Sequence, residues 1–234
     1  MTPVTRSRRT ATADRPAVKR PPRRAVLVLR RVLLVATAFF LLPNLAVIGA
    51  HLVAQRSAPA SPFDVGVRNF AEVDDRLWRG AAPDADGYRA LAAAGVQTVV
   101  DLRAEEDVRV DDPLLHTLGI TRVSLPVRDG QAPTRQQVEH FLDIVQYSPG
   151  RVFVHCGAGV GRTGTMAAAY LVKTGQATPV DALRRNLSIG PPSLEQLAFS
   201  AGLDGGVVKR PATMLVALSR TLDAPRRLWV SLRG

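Results

Sequence analysis

The chain has 234 residues, 46% of them hydrophobic, which is room for one ordinary domain with extra segments at its ends. Its formal charge of +11 is uneven: residues 1–56 hold 11 Lys/Arg against one acid, residues 57–203 hold 14 against 17, and residues 204–234 hold six against two. Nucleic-acid binding would want a basic face on the folded domain, which a mildly acidic centre does not offer, and the single cysteine, Cys156, excludes an internal disulfide and a cysteine-rich zinc site.

In chain order, residues 1–31 form a basic arm, rich in Arg, Pro and Thr and expected to be disordered. Residues 32–50, VLLVATAFFLLPNLAVIGA, carry no charge and have the length of a membrane-spanning helix. Pro43 and Asn44 would kink such a helix without forbidding it. Ten Lys/Arg precede the run and only Arg56 lies close behind, so the positive-inside bias places the N-terminus in the cytoplasm and the rest outside it. The competing reading is a signal peptide and a secreted product, but no small-residue cleavage site ends the run. Residues 51–62 read as a linker that closes on SAPASP, and 63–203 as the globular domain.

Within that domain, helical spacing is expected at Asp84–Ala94, at Thr134–Tyr147 with Thr134 as its cap, at Thr163–Thr174, at Pro179–Leu187 and at Ser193–Ala201. Strands are expected at Thr98–Leu102, Thr121–Leu125 and Arg151–His155. This alternation predicts an α/β domain with a mostly parallel central sheet flanked by helices, preceded by one transmembrane helix. The basic tail, residues 204–234, mixes apolar and basic residues and reads either as an amphipathic helix on anionic lipid or as a final helix packed on the domain.

Chemistry concentrates between Val152 and Gly164, VFVHCGAGVGRTG: a strand, a tight loop and a helix start. Gly157, Gly159 and Gly161 let the backbone fold sharply and turn successive N–H groups inward, with Ala158 and Val160 between them. The helix that follows aims its positive end at the same point, so residues 157–161 and Arg162 form a cradle for a tetrahedral dianion such as phosphate. This is not the nucleotide-binding P-loop, because no Lys-Ser/Thr pair follows the last glycine. A lone cysteine is most often a small buried hydrophobe. Cys156, however, sits at the base of a cradle whose charge partners favour a thiolate nucleophile. Arg162 can grip two phosphate oxygens with its planar fork. Thr163 brings a hydroxyl near the sulfur to help the thiolate leave, and His155 is expected to orient the loop through backbone hydrogen bonds.

The run His155–Gly164 resembles the signature of the cysteine-based protein tyrosine phosphatases, differing at Gly157, where the tyrosine-specific members usually carry serine. FAEVDDRLWRGAAP (Phe70–Pro83), VVDLR (Val99–Arg103) and GPPSLEQLAF (Gly190–Phe199) resemble compact dual-specificity-type domains of bacteria and fungi. The likeness covers roughly residues 63–203. It implies a phosphatase acting through a phosphocysteine intermediate with no cofactor and no metal. Its expected substrate is a protein carrying phosphotyrosine, and secondarily phosphoserine or phosphothreonine. The resemblance also implies Asp129, in the loop before the Thr134 helix, as general acid, and Gln196 as a supporting residue for the hydrolytic water. No segment corresponds to the phosphotyrosine-recognition loop of the longer members. The signature loop lacks the lysines of phosphoinositide-directed relatives.

Two alternatives remain open: a lipid-phosphate phosphatase, acting on a phosphoinositide or a phosphatidylglycerophosphate-like substrate, and an inactive phosphate-binding module. Arg79 and Arg103, at expected strand ends, either brace the active-site loop or form surface ion pairs. The acidic stretch Glu105, Glu106, Asp107, Asp111 and Asp112 reads as a solvated face rather than a metal site, and His116 and His140 show no partner in sequence.

Overall fold

The protein is described from a computed structural model, which covers residues 23–56, 65–104, 113–205 and 208–231. The acidic stretch from Glu105 to Asp112 lies outside the described residues, as do most of the basic arm and the SAPASP segment. The chain divides into two compact units, Met1–Leu42 and Pro43–Gly234.

In the larger unit a five-stranded sheet has the order β1-β2-β5-β3-β4, with β1 (Ala71–Glu72), β2 (Leu77–Ala81), β3 (Val96–Arg103), β4 (Thr121–Val127) and β5 (Arg151–Cys156). All pairings are parallel except the short β1–β2 edge. The predicted α/β class with a mostly parallel sheet is what the structure has. Alternation along each buried strand assigns the two faces. Val152 and Val154 of β5 join one apolar cluster, with α4 (Arg135–Tyr147), α5 (Gly161–Lys173), α6 (Pro179–Ile189) and α7 (Leu194–Ala201). Phe153 joins the other, with α2 (Ala85–Ala93) and α3 (Pro113–Thr117). Asp84 caps α2, and Thr134 and Gln137 form a reciprocal capping box on α4. The sequence marked only a strand end at Arg79; the structure sets Arg79 inside β2, all five residues of which are buried.

The apolar run belongs to α1 (Arg23–Gln55), which starts inside the expected arm, passes through Pro43 and ends inside the expected linker. Residues 26–55 are long and apolar enough to cross a membrane, and a signal sequence would pass the same test. Residues 51–55 are the last turns of the helix rather than linker because they pack within the larger unit. Ala54 is buried, and the His51 ring lies 2.5 Å from Leu187 O of α6. The tail also folds. α8 (Thr213–Ser231) buries Ser219 and Leu222 and packs on α7, the second of the two expected arrangements, while Met214 stays exposed.

Candidate active site

Parallel strands end on a common edge, and in an open α/β sheet that carboxyl edge is where ligands bind. Here Cys156, the last residue of β5, pairs with Ala81 at the end of β2, and the neighbouring ends of β3 and β4 bring Arg103 opposite Val127. Cys156 is buried, and its Sγ accepts the Gly159 N–H at 3.3 Å, which closes the signature loop around the sulfur. Gly159 adopts φ +73°, and a Cβ there would stand 2.2 Å from the Gly80 carbonyl carbon. No side chain fits that close approach between the loop and β2. A Cβ at Gly157 would meet nothing within 4 Å, so the serine usual in the tyrosine-specific members would be accommodated there.

Arg162 opens α5 and is buried, with Nη1 donating to Val127 O at 3.2 Å and Nη2 lying 3.4 Å from Asp129 Oδ1. The structure therefore brings the expected acid, from a separate loop, beside the expected clamp, which shares one strand–loop–helix turn with the expected nucleophile. Thr163 is fully buried in the first turn of α5, and its Oγ1 makes no hydrogen bond among the described residues. Gln196 is buried against the loop: a Cβ at Gly161 would lie 2.4 Å from its Oε1. Its Oε1 accepts the Ser193 N–H and its Nε2 donates to Gln131 O, both at 3.1 Å, so it serves as helix cap and as tie to the Asp129 loop.

Of the two arginines, Arg79 braces the loop and Arg103 does not. Arg79 is buried, donates to Gly159 O at 2.7 Å and reaches Asn186 Oδ1 at 3.3 Å. Burial pulls its pKa down to about 10, against the opposing pull of the Cys156 charge, so it stays cationic against the loop at neutral pH. Arg103 instead binds Asp101, a fully buried carboxylate that also takes Arg122. Burial alone would raise Asp101, but hydrogen bonds from Arg103 and the charges around it hold it well below the usual carboxylate range.

His155 is buried with its Nδ1 3.4 Å from the Cys156 carbonyl, a contact with the loop backbone, and 3.9 Å from Asp101 Oδ1, so the ring also borders the buried charge cluster. Burial lowers its pKa to about 4, against an opposing pull from Asp101. The unfolded chain takes up this proton first as pH falls. The associated stability is therefore full above roughly pH 6.5 and is lost toward about pH 4, a decline of about 2 kcal/mol between about pH 7 and pH 5. Denaturant unfolding of the full chain at the two pH values should show it, and His155→Asn should flatten the dependence. His116 and His140 are exposed on α3 and α4. Among the described residues no cluster of three or more His, Cys, Asp or Glu could hold a metal ion.

The sequence reading missed Asn69, Asn186, Ser193 and Glu195. Asn69, at φ 54°, donates to Ala158 O at 2.9 Å from a segment remote in sequence. Asn186 fills the space above Gly164, where a Cβ would lie 1.6 Å from its Oδ1. Each acts through a contact that local sequence does not reveal.

A buried thiol whose sulfur accepts a loop amide, with a buried guanidinium six residues on, is suited to attack on a tetrahedral phosphoryl centre, and the domain is of the cysteine-based phosphatase class. Residues 55–202 match the family described as DSP-PTPase phosphatase fused to NAD+ kinase, and the chain belongs to that family. The matched residues contain the signature loop, the phosphatase part of that description. Over 143 residues the chain is 34% identical to probable NAD kinase 2, chloroplastic, of Oryza sativa subsp. japonica, covering 56% of this chain and 14% of the relative. Over 69 residues it is 42% identical to the dual specificity protein phosphatase CDC14C of Homo sapiens, covering 27% and 15%. The chain thus spans about a seventh of the length of these curated relatives.

Among solved structures, the core catalytic domain of the PP-IP phosphatase SIW14 from S. cerevisiae superposes with a TM-score of 0.51 at 17% identity, covering 59% of this chain and 86% of that one. P. aeruginosa TpbA in complex with pTyr gives 0.50 at 23% identity, covering 70% and 94%. At these identities the likeness is one of fold.

Proposed function

We propose that this protein is a membrane-anchored phosphatase that hydrolyses phosphotyrosine, and secondarily phosphoserine or phosphothreonine, on proteins. The observation that carries the reading is the 3.4 Å approach of Asp129 to Arg162 over a loop whose cysteine sulfur accepts the Gly159 N–H. The Cys156 thiolate attacks phosphorus in line while the Arg162 fork stabilises the charge on the equatorial oxygens. Asp129 gives its proton to the departing oxygen, leaving a phosphocysteine. Water, oriented with help from the second N–H of the Gln196 amide, then attacks phosphorus and returns a proton to Asp129. The thiolate leaves beside the Thr163 hydroxyl, releasing inorganic phosphate.

A protein rather than a lipid substrate is supported by the uncharged loop residues 157–161, which offer no lysine for further phosphates. The relatives named dual specificity protein phosphatases support the same reading. Anchoring rests on the apolar helix from Val26 to Gln55, and the basic residues ahead of it favour an extracytoplasmic phosphatase domain. The test assays the full chain in detergent against phosphotyrosine, phosphoserine and phosphothreonine peptides and a phosphatidylinositol phosphate. The expected result is a kcat/KM highest on phosphotyrosine peptide and lowest on lipid. A higher value on the lipid would transfer the assignment to lipid phosphate.

A further inference from the structure

Three side chains at the start of α7 bind three consecutive residues of the Asp129 loop. Ser193 Oγ donates to Gly130 O at 2.6 Å, Gln196 Nε2 donates to Gln131 O at 3.1 Å, and Glu195 Oε1 accepts the Ala132 N–H at 3.1 Å. Ser193 and Gln196 also form the capping box of the helix, which by itself accounts for their residue types. Glu195 has no part in that box. Only 4% of it is exposed, a position that carboxylates seldom occupy without partners.

Besides the Ala132 N–H, the carboxylate has a partner from α8: Arg220 Nε donates to Glu195 Oε2 at 3.3 Å, while the Glu195 backbone N–H donates to Ser219 Oγ of the same helix at 3.0 Å. α8 begins at Thr213, beyond the residues 55–202 that match the family, so the tie joins the phosphatase domain to a segment outside it. On its other flank the same loop is held by Arg162, through Val127 O and Asp129. The acid loop is thus fixed between the phosphate clamp on one side and Glu195 on the other.

We infer that Glu195 is a positioning residue for the general acid: through Ala132 it sets where Asp129 stands over the signature loop, and Ser219 and Arg220 of α8 hold it in turn. The inference rests on the assignment of Asp129 as acid. Its physical basis is geometric. A proton donor works only within hydrogen-bond reach of the leaving oxygen, and a displacement of about 1 Å can cost about 10²-fold. Ala132 is three residues from Asp129 in a short loop, so releasing its N–H releases the carboxyl group as well.

The test measures the full chain in detergent on a phosphotyrosine peptide and on an aryl phosphate whose phenol is acidic enough to leave without a proton. Glu195→Ala should lose about 10- to 100-fold in kcat on the peptide, with KM nearly unchanged, and less than about threefold on the aryl phosphate. Glu195→Gln keeps an oxygen for the Ala132 N–H and should recover most of the peptide rate. Arg220→Ala changes a side chain that is 46% exposed, so the fold survives, and it should give a smaller loss of the same peptide-selective kind. If Glu195→Ala fails to fold, the other two variants decide. Equal losses on both substrates, or an Arg220→Ala protein unchanged on both, would overturn the inference. Asp129→Asn in the same assay separates the two ideas. A peptide-selective loss there without one in the Glu195 and Arg220 variants defeats only the positioning role, whereas an equal loss there defeats the acid assignment itself.

Discussion

Cys156→Ser should turn over no phosphopeptide while still binding it, a loss of roughly 10⁵-fold or more in kcat. A serine hydroxyl is not ionised at neutral pH, and the loop offers no neighbouring base to activate it. Its amides and guanidinium are arranged to favour an anion already formed. Arg162→Lys should lose about 10³-fold or more, because an ammonium supplies charge without the planar pair of donors that matches two phosphoryl oxygens. It would also abandon the bond to Val127 O, and with it the contact that brings the clamp to the acid loop. Stopped-assay kinetics on phosphotyrosine peptide, with binding followed by calorimetry, separate the two variants. The chemistry calls on no metal, so a chelator should leave the wild-type rate unchanged. Substantial turnover by Cys156→Ser would remove the covalent mechanism altogether.

Asp129→Asn should lose about 10²–10⁴-fold on phosphotyrosine peptide and far less on an aryl phosphate with an acidic phenol. The asparagine keeps the shape of the side chain but has no proton to give. A poor leaving group suffers in full, and a good one hardly at all. Asp129 is half-exposed and 3.4 Å from Arg162, so the carboxyl group is open to solvent while the guanidinium holds it beside the loop. An identical loss on both substrates would move the acid to another residue.

Chemistry was legible in the sequence where it is local. Cys156, the three glycines and Arg162 lie within seven residues, so spacing alone places them on one strand–loop–helix turn. The capped helices and apolar strands were legible for the same reason, since their periodicities are properties of consecutive residues. The burial of Arg79 in β2 was not, because a buried arginine in LWRGA is indistinguishable from an exposed one until the loop it supports is packed against it. Local sequence left Arg103 open between bracing the loop and forming an ion pair, and gave His155 a loop contact but no second neighbour. The structure pairs Arg103 with Asp101, and strand register also brings Asp101 beside His155 while the β3–β4 pairing adds Arg122. Glu195, one residue from a recognisable cap, reads as an ordinary first-turn acid favoured by the helix dipole. Its burial between the acid loop and α8 exists only once three segments remote in sequence are packed. Sequence by itself placed Cys156, the loop glycines and Arg162 on one turn and gave the alternation of most strands and helices. Tertiary structure decided which charges are desolvated and which loops they hold, because the cost of burying a charge, and so the partners it must have, depends on neighbours that the chain brings together only on folding.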